Sequence, residues 1–152
     1  MKKIILLGIF LTGALGSQAQ TLNPKYDADL AKSLGADEYG MRPYVLVLLK
    51  TGSNATQDKE KVQSLFRGHM ANIQRLADEG KLVVAGPLGK NEKAYRGIFI
   101  FKVKTIEEAS ALVETDPAIK EKLLEAEFYQ WYGSAALPEY LKAHEKIEKM
   151  KP

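Results

Sequence analysis

The stretch YRGIFIFKV, Tyr95–Val103, limits the possible folds more than any other part of this chain. In an extended strand successive side chains point to opposite faces. Gly97, Phe99, Phe101 and Val103 therefore share one side, and Ile98 and Ile100 the other. Both faces of this strand are apolar, so both need cover. YVLVLLK, Tyr44–Lys50, is another continuous β-prone run, ended by the turn TGSN, and reads as a strand buried on both faces.

The segments around these strands supply the rest of an α+β domain. A helix is expected from about Thr56 to Glu79, with Asp58 and Glu60 near its positive end and Gly80 as the terminating residue. Val62, Leu65, Phe66, His69, Ile73, Leu76 and Ala77 recur at spacings of three and four and draw a single stripe. KLVVAGPL reads as the second strand and Tyr95–Val103 as the third. TIEEASALVET is a second helix, with Thr105 and Glu108 as a capping box and Ile106, Ala109, Leu112 and Val113 as its buried face. Asp116-Pro117 ends it and starts the short turn AIKEKLL, after which EAEFYQWYG forms the fourth strand. The order βαββαβ is the ferredoxin-like arrangement, an antiparallel sheet with both helices on one face. Two helices cover one face only, and soluble monomers do not tolerate a large wet apolar patch on the other. The pattern thus predicts a homodimer in which two sheets pair face to face, a dimeric α/β barrel.

The ends of the chain have different characters. Met1-Lys2-Lys3 is a basic start, Ile4 to Gly16 is apolar, and Ser17-Gln18-Ala19 offers small residues where a signal peptidase reads. Residues 1–19 are read as a signal peptide, which predicts an exported protein, periplasmic or secreted, with no membrane association after cleavage. Residues 20–42 form a polar arm in which DADLAKSLG is a short helix closed by Gly35. The domain spans 43–137, and 138–152 is a C-terminal helical tail; Leu137, at the junction, with Tyr140, Leu141, His144 and Ile147 makes a narrow stripe expected to pack on the body or a partner. The net charge of +3 includes Lys2 and Lys3; without them 20 basic residues face 19 acidic ones. Such a balance gives no electrostatic footprint for nucleic acid or anionic membrane.

Candidate chemistry is sparse. With no cysteine there is no thiol nucleophile, disulfide or thiolate metal site. His69 and His144 are far apart in sequence and lack paired-ligand spacing, so no metal is expected. GPLGK lacks the phosphate-loop pattern, and no cofactor is implied. His69 lies within the apolar stripe of its helix, beside Gly68, a costly residue there unless another chain or a ligand approaches closely.

HMANIQRLADEGKLVVAGP, followed by EEA, DP and WYGSAAL, resembles the YCII-related proteins over Tyr44 to Leu137. These are small dimeric α/β-barrel proteins that share their fold with muconolactone isomerases. The resemblance implies that the helix histidine and the aspartate of the DP pair, here His69 and Asp116, are the catalytic residues. It also implies elimination or isomerisation of small oxygenated, sometimes chlorinated, ring compounds. One departure is Lys122, near a place where a glycine is usual, which predicts a different pocket mouth.

Two readings of these residues stay open. His69 is either a core or interface histidine bonded to a backbone carbonyl, or a general base. Imidazole titrates near neutrality and takes a carbon-bound or hydroxyl proton when a carboxylate fixes its tautomer. Asp116 before Pro117 is also an ordinary helix cap, and one carboxylate can do both. Tyr129 and Trp131 share a face of the last strand, as pocket-lining residues or as core and interface aromatics. Arg96 reads as a surface residue. The functions that follow are a cofactor-free lyase or isomerase acting on a small molecule, or a non-catalytic exported dimer that binds a small hydrophobic ligand or serves a structural role.

Overall fold

The computed structural model describes residues 23–150; the segment read as a signal peptide lies outside them. The elements run α1 (Ala28–Leu34), β1 (Met41–Thr51), α2 (Lys59–Asp78), β2 (Leu82–Pro87), β3 (Tyr95–Phe101), α3 (Ile106–Val113), α4 (Pro117–Lys120), β4 (Leu124–Ser134) and α5 (Leu141–Ile147). A single 3-10 turn, Leu137–Tyr140, leads into α5. Local chemistry explains where the helices begin and end. Asp58 caps α2 by accepting from the Lys61 N–H, which starts the helix three residues later than Thr56, the residue expected from periodicity alone. Gly80, at φ 66°, supplies the left-handed residue that ends it. Thr105 caps α3, and the Glu108 carboxylate reaches back to the Lys104 N–H, one residue further than a standard capping box.

All strand pairs are antiparallel, in the order β2-β3-β1-β4. Val47 lies opposite Phe99 in β3 and Phe128 in β4, so these residues share a face. On that face Val45, Val47, Leu49, Phe99 and Phe101 pack with Leu76 of α2, Ala109 and Val113 of α3 and Ala118 of α4 into one core. The helices thus cover one side of a ferredoxin-like sheet.

The other side alternates with the first. Leu46 sits between Ile100 and Tyr129, and Leu48 between Ile98 and Glu127. These leucines and isoleucines are half-buried, so YVLVLLK is fully covered on one face only within a single chain. One end of this open face is polar: Lys50 Nζ donates to Glu127 Oε1 at 2.9 Å, and the Tyr95 and Tyr129 hydroxyls donate to Oε2 at 3.2 Å each. The Lys50 hydrogen bond holds the Glu127 carboxyl below its ordinary value and raises Lys50 above its own. At the other end the Trp131 indole lies across Gly133, where a Cβ would collide with the ring, and 5.4 Å from the Tyr44 ring centroid.

The arm and the tail are fastened at few points. Arg42 donates to the Leu34 carbonyl at the end of α1. Asp37 accepts from the Met41 N–H and the Tyr132 hydroxyl, and that bond pushes Tyr132 up to about 12. In the tail the Tyr140 hydroxyl donates to the Val83 carbonyl, but Ile147 is 78% exposed. Within a single chain the tail stripe is therefore anchored to the body at its start, and its far end is left uncovered.

Lys122 is explained by its backbone. It sits at φ 57°, the left-handed region that glycine enters freely, and its carbonyl is pressed against Gly52, where any Cβ would collide with it. Its departure from the resemblance is therefore a cost in turn geometry. A non-glycine residue there is strained by about 1–2 kcal/mol, and the extra chain freedom of glycine offsets about half of that. Lys122→Gly is expected to raise stability by about 0.5–1 kcal/mol in urea unfolding; a loss would show that the lysine side chain has a role of its own.

Candidate active site: the His69–Asp116 pair

Helix α2 crosses the corner between α3 and α4 with no side chain at its closest point. A Cβ on Gly68 would sit 2.6 Å from Pro117 Cγ. The glycine thus makes room for α4 of its own chain rather than for a ligand or another subunit. That close approach outweighs the cost of about 1 kcal/mol for glycine inside a helix. It also brings the next residues together: His69 Nδ1 lies 2.6 Å from Asp116 Oδ2.

Asp116 is 1% exposed and uses both carboxylate oxygens. Oδ1 accepts from the Ala118 N–H at 2.9 Å and caps α4, while Oδ2 faces the imidazole. The cap and the histidine partner are one group, so the two roles foreseen for this residue coexist. An ionised carboxylate only accepts, which assigns the proton to Nδ1 and leaves the lone pair on Nε2. The partner of His69 is this carboxylate and not a backbone carbonyl.

The imidazole has aromatic neighbours. Phe66 meets it edge-on with centroids 6.0 Å apart, and Phe99 lies 6.0 Å away with its plane tilted by 28°. His69 is 8% exposed. Among the described residues Nε2 has no hydrogen-bond partner, and Arg42 Nε is the only fully buried side-chain nitrogen or oxygen without one, so Nε2 keeps contact with solvent. A surface hollow along the outer flank of α2 passes Phe66, Arg67, Met70 and Gln74 and stops short of both His69 and Asp116. Phe66 borders both that hollow and the imidazole.

Tyr129 and Trp131 are not part of this group. Their side chains lie with Leu46 and Tyr44 on the open face, across the sheet from His69, and are 47% and 36% exposed. Sequence reasoning missed a second polar cluster beside the pair. Arg75 Nη2 donates to Asn72 Oδ1 at 2.8 Å and to the Thr115 hydroxyl at 2.9 Å, and Thr115 Oγ1 lies 2.9 Å from Asn72 Oδ1. The available signal was Asn72 itself, a polar residue three positions after His69 on the helix's buried face. No three His, Asp or Glu side chains converge as a metal cluster among the described residues.

The sheet order and the helices on one face define a ferredoxin-like α+β domain with a buried His–Asp pair at the junction of α2 and α4. The sequence model of the YCII-related domain matches residues 44–131, more than half of the chain, and the protein belongs to that family. No curated protein matches the chain. Among solved structures, the chain is similar to 5-chloro-2-hydroxyhydroquinone dehydrochlorinase from Burkholderia phenoliruptrix in complex with 2,5-dihydroxybenzoquinone. The identity is 23%, the match covers 58% of this chain and 92% of that one, and the TM-score is 0.41.

Proposed function

We propose that this protein is an exported, cofactor-free enzyme of the lyase or isomerase type that acts on a small oxygenated ring compound, with His69 as general base and Asp116 as its orienting partner. The observation that carries this reading is the 2.6 Å contact from His69 Nδ1 to a buried carboxylate, which leaves Nε2 as the proton acceptor. Nε2 takes a proton from carbon or hydroxyl, and Asp116 stabilises the imidazolium that forms. In an elimination, the C–H electron pair becomes the new double bond as a leaving group departs from the adjacent carbon with its own pair. In an isomerisation, the imidazolium returns the proton to a different carbon. Phe66 and Phe99 keep the site apolar.

The working unit in this proposal is a homodimer, with a second copy covering the half-buried Leu46, Leu48, Ile98 and Ile100. Roughly 25 cal/mol for each Å² of apolar surface removed from water makes that pairing worth several kcal/mol per subunit. Export rests on the basic and apolar start of the sequence, Lys2 to Gly16.

The low exposure of His69 favours a second reading, in which the pair braces α4 and the dimer is non-catalytic. Purified mature protein assayed against hydroxylated and chlorinated ring compounds separates the two. Turnover in the wild type is expected to fall by at least about 100-fold in His69→Ala. Equal turnover in the variant removes His69 from the mechanism, and ligand binding without any turnover favours the non-catalytic reading.

A further inference from the structure

We infer that Asn72, Arg75 and Thr115 are positioning residues that hold the α3–α4 corner against α2, and through it set the Asp116 carboxylate on His69 Nδ1. The inference rests on reading His69 and Asp116 as the working pair. Thr115 is the residue just before Asp116, between an α3 of eight residues and an α4 of four. Helices this short do not hold a corner rigid by themselves. The corner is tied to α2 at successive points: Gly68 against Pro117, His69 on Asp116, then Asn72 and Arg75 on Thr115.

Each member of the brace is itself fixed. The Thr115 hydroxyl accepts from Arg75 and shares its single hydrogen between Asn72 Oδ1 and the Leu112 carbonyl at 2.6 Å. Arg75 Nη1 is held by Glu79 Oε1 at 2.6 Å, one helical turn on, and Asn72 is 8% exposed. An exposed Arg–Glu pair alone adds little stability. Here its guanidinium reaches both Asn72 and the Thr115 hydroxyl, the latter one residue from the carboxylate whose position fixes the histidine tautomer. That placement gives the network an effect on His69 that its contribution to stability does not describe.

Long-range proton–nitrogen correlation spectra of the histidine rings test this directly, with exposed His144 as an internal reference. In wild type, neutral His69 is expected to carry its proton on Nδ1. In Thr115→Val and in Arg75→Met the Nδ1–H fraction is expected to fall by roughly half toward the Nε2–H form, as the carboxylate contact loosens. Thr115→Ser, which restores the hydroxyl, is expected to recover the wild-type tautomer. Folded Thr115→Val and Arg75→Met proteins that both keep the wild-type tautomer overturn the inference. A wild type that lacks the Nδ1–H form overturns the reading of the pair itself, and the inference with it.

Discussion

Asp116→Ala is expected to unfold at a clearly lower urea concentration than the wild type, with a loss of about 3 kcal/mol at an unchanged denaturant slope. Two effects add. The Ala118 N–H loses its cap, worth about 1 kcal/mol, and the buried His69 N–H is left without an acceptor, which costs about 1–3 kcal/mol. Asp116→Asn separates these roles. Its carbonyl oxygen still caps α4, but its amide then donates to His69 Nδ1 and drives the proton to Nε2, so the base is blocked. Stability close to wild type and activity at least about 100-fold lower are expected. An alanine variant as stable as wild type would show that the buried carboxylate is neither cap nor partner.

Ile100→Asp is expected to dissociate the proposed dimer. Ile100 lies opposite Leu46 in β1 and Val84 in β2, in the middle of the open face. Each copy would bury an unpaired carboxylate, at about 3 kcal/mol or more. With two copies per interface, affinity falls by about four orders of magnitude. Sedimentation of the wild type at micromolar concentration should give a dimer, and the variant a monomer or an aggregate. A stable, soluble wild-type monomer contradicts the pairing and leaves the open face to some other cover.

What the sequence revealed of the fold was what depends on local periodicity. The order of elements, the stripe of α2, the cap at Thr105 and the stop at Gly80 are all set by residues within a few positions of one another. His69 stood out from the stripe of its helix, but its pairing with Asp116 came through the family resemblance, since 47 residues separate them and no spacing rule links a helix face to a distant corner. Gly68 was recognised as anomalous, but its reason, Pro117, lies across that same gap. The Asn72–Thr115 contact escaped because a lone asparagine in a stripe does not announce its partner. Tyr129 and Trp131 were given a common face, yet which face of the sheet the helices take depends on the pairing of β4 with β1, whose partners are far apart in sequence, as Tyr44 and Trp131 are. Lys122 was legible as a departure from the resemblance, but its left-handed backbone was not, because a φ angle cannot be read from a residue name.

The most direct measurement is acylation of the native protein by diethyl pyrocarbonate, followed by mass spectrometry of its peptides. This small reagent attacks an unprotonated imidazole nitrogen, which is the atom the proposal makes the proton acceptor. The chain has two histidines, so exposed His144 reports the unhindered reaction beside His69. Both are expected to be labelled while the protein stays folded, and prior labelling of His69 is expected to abolish turnover. Full labelling of His144 with His69 untouched would contradict it, because a nitrogen closed to so small a reagent cannot take a proton from a substrate.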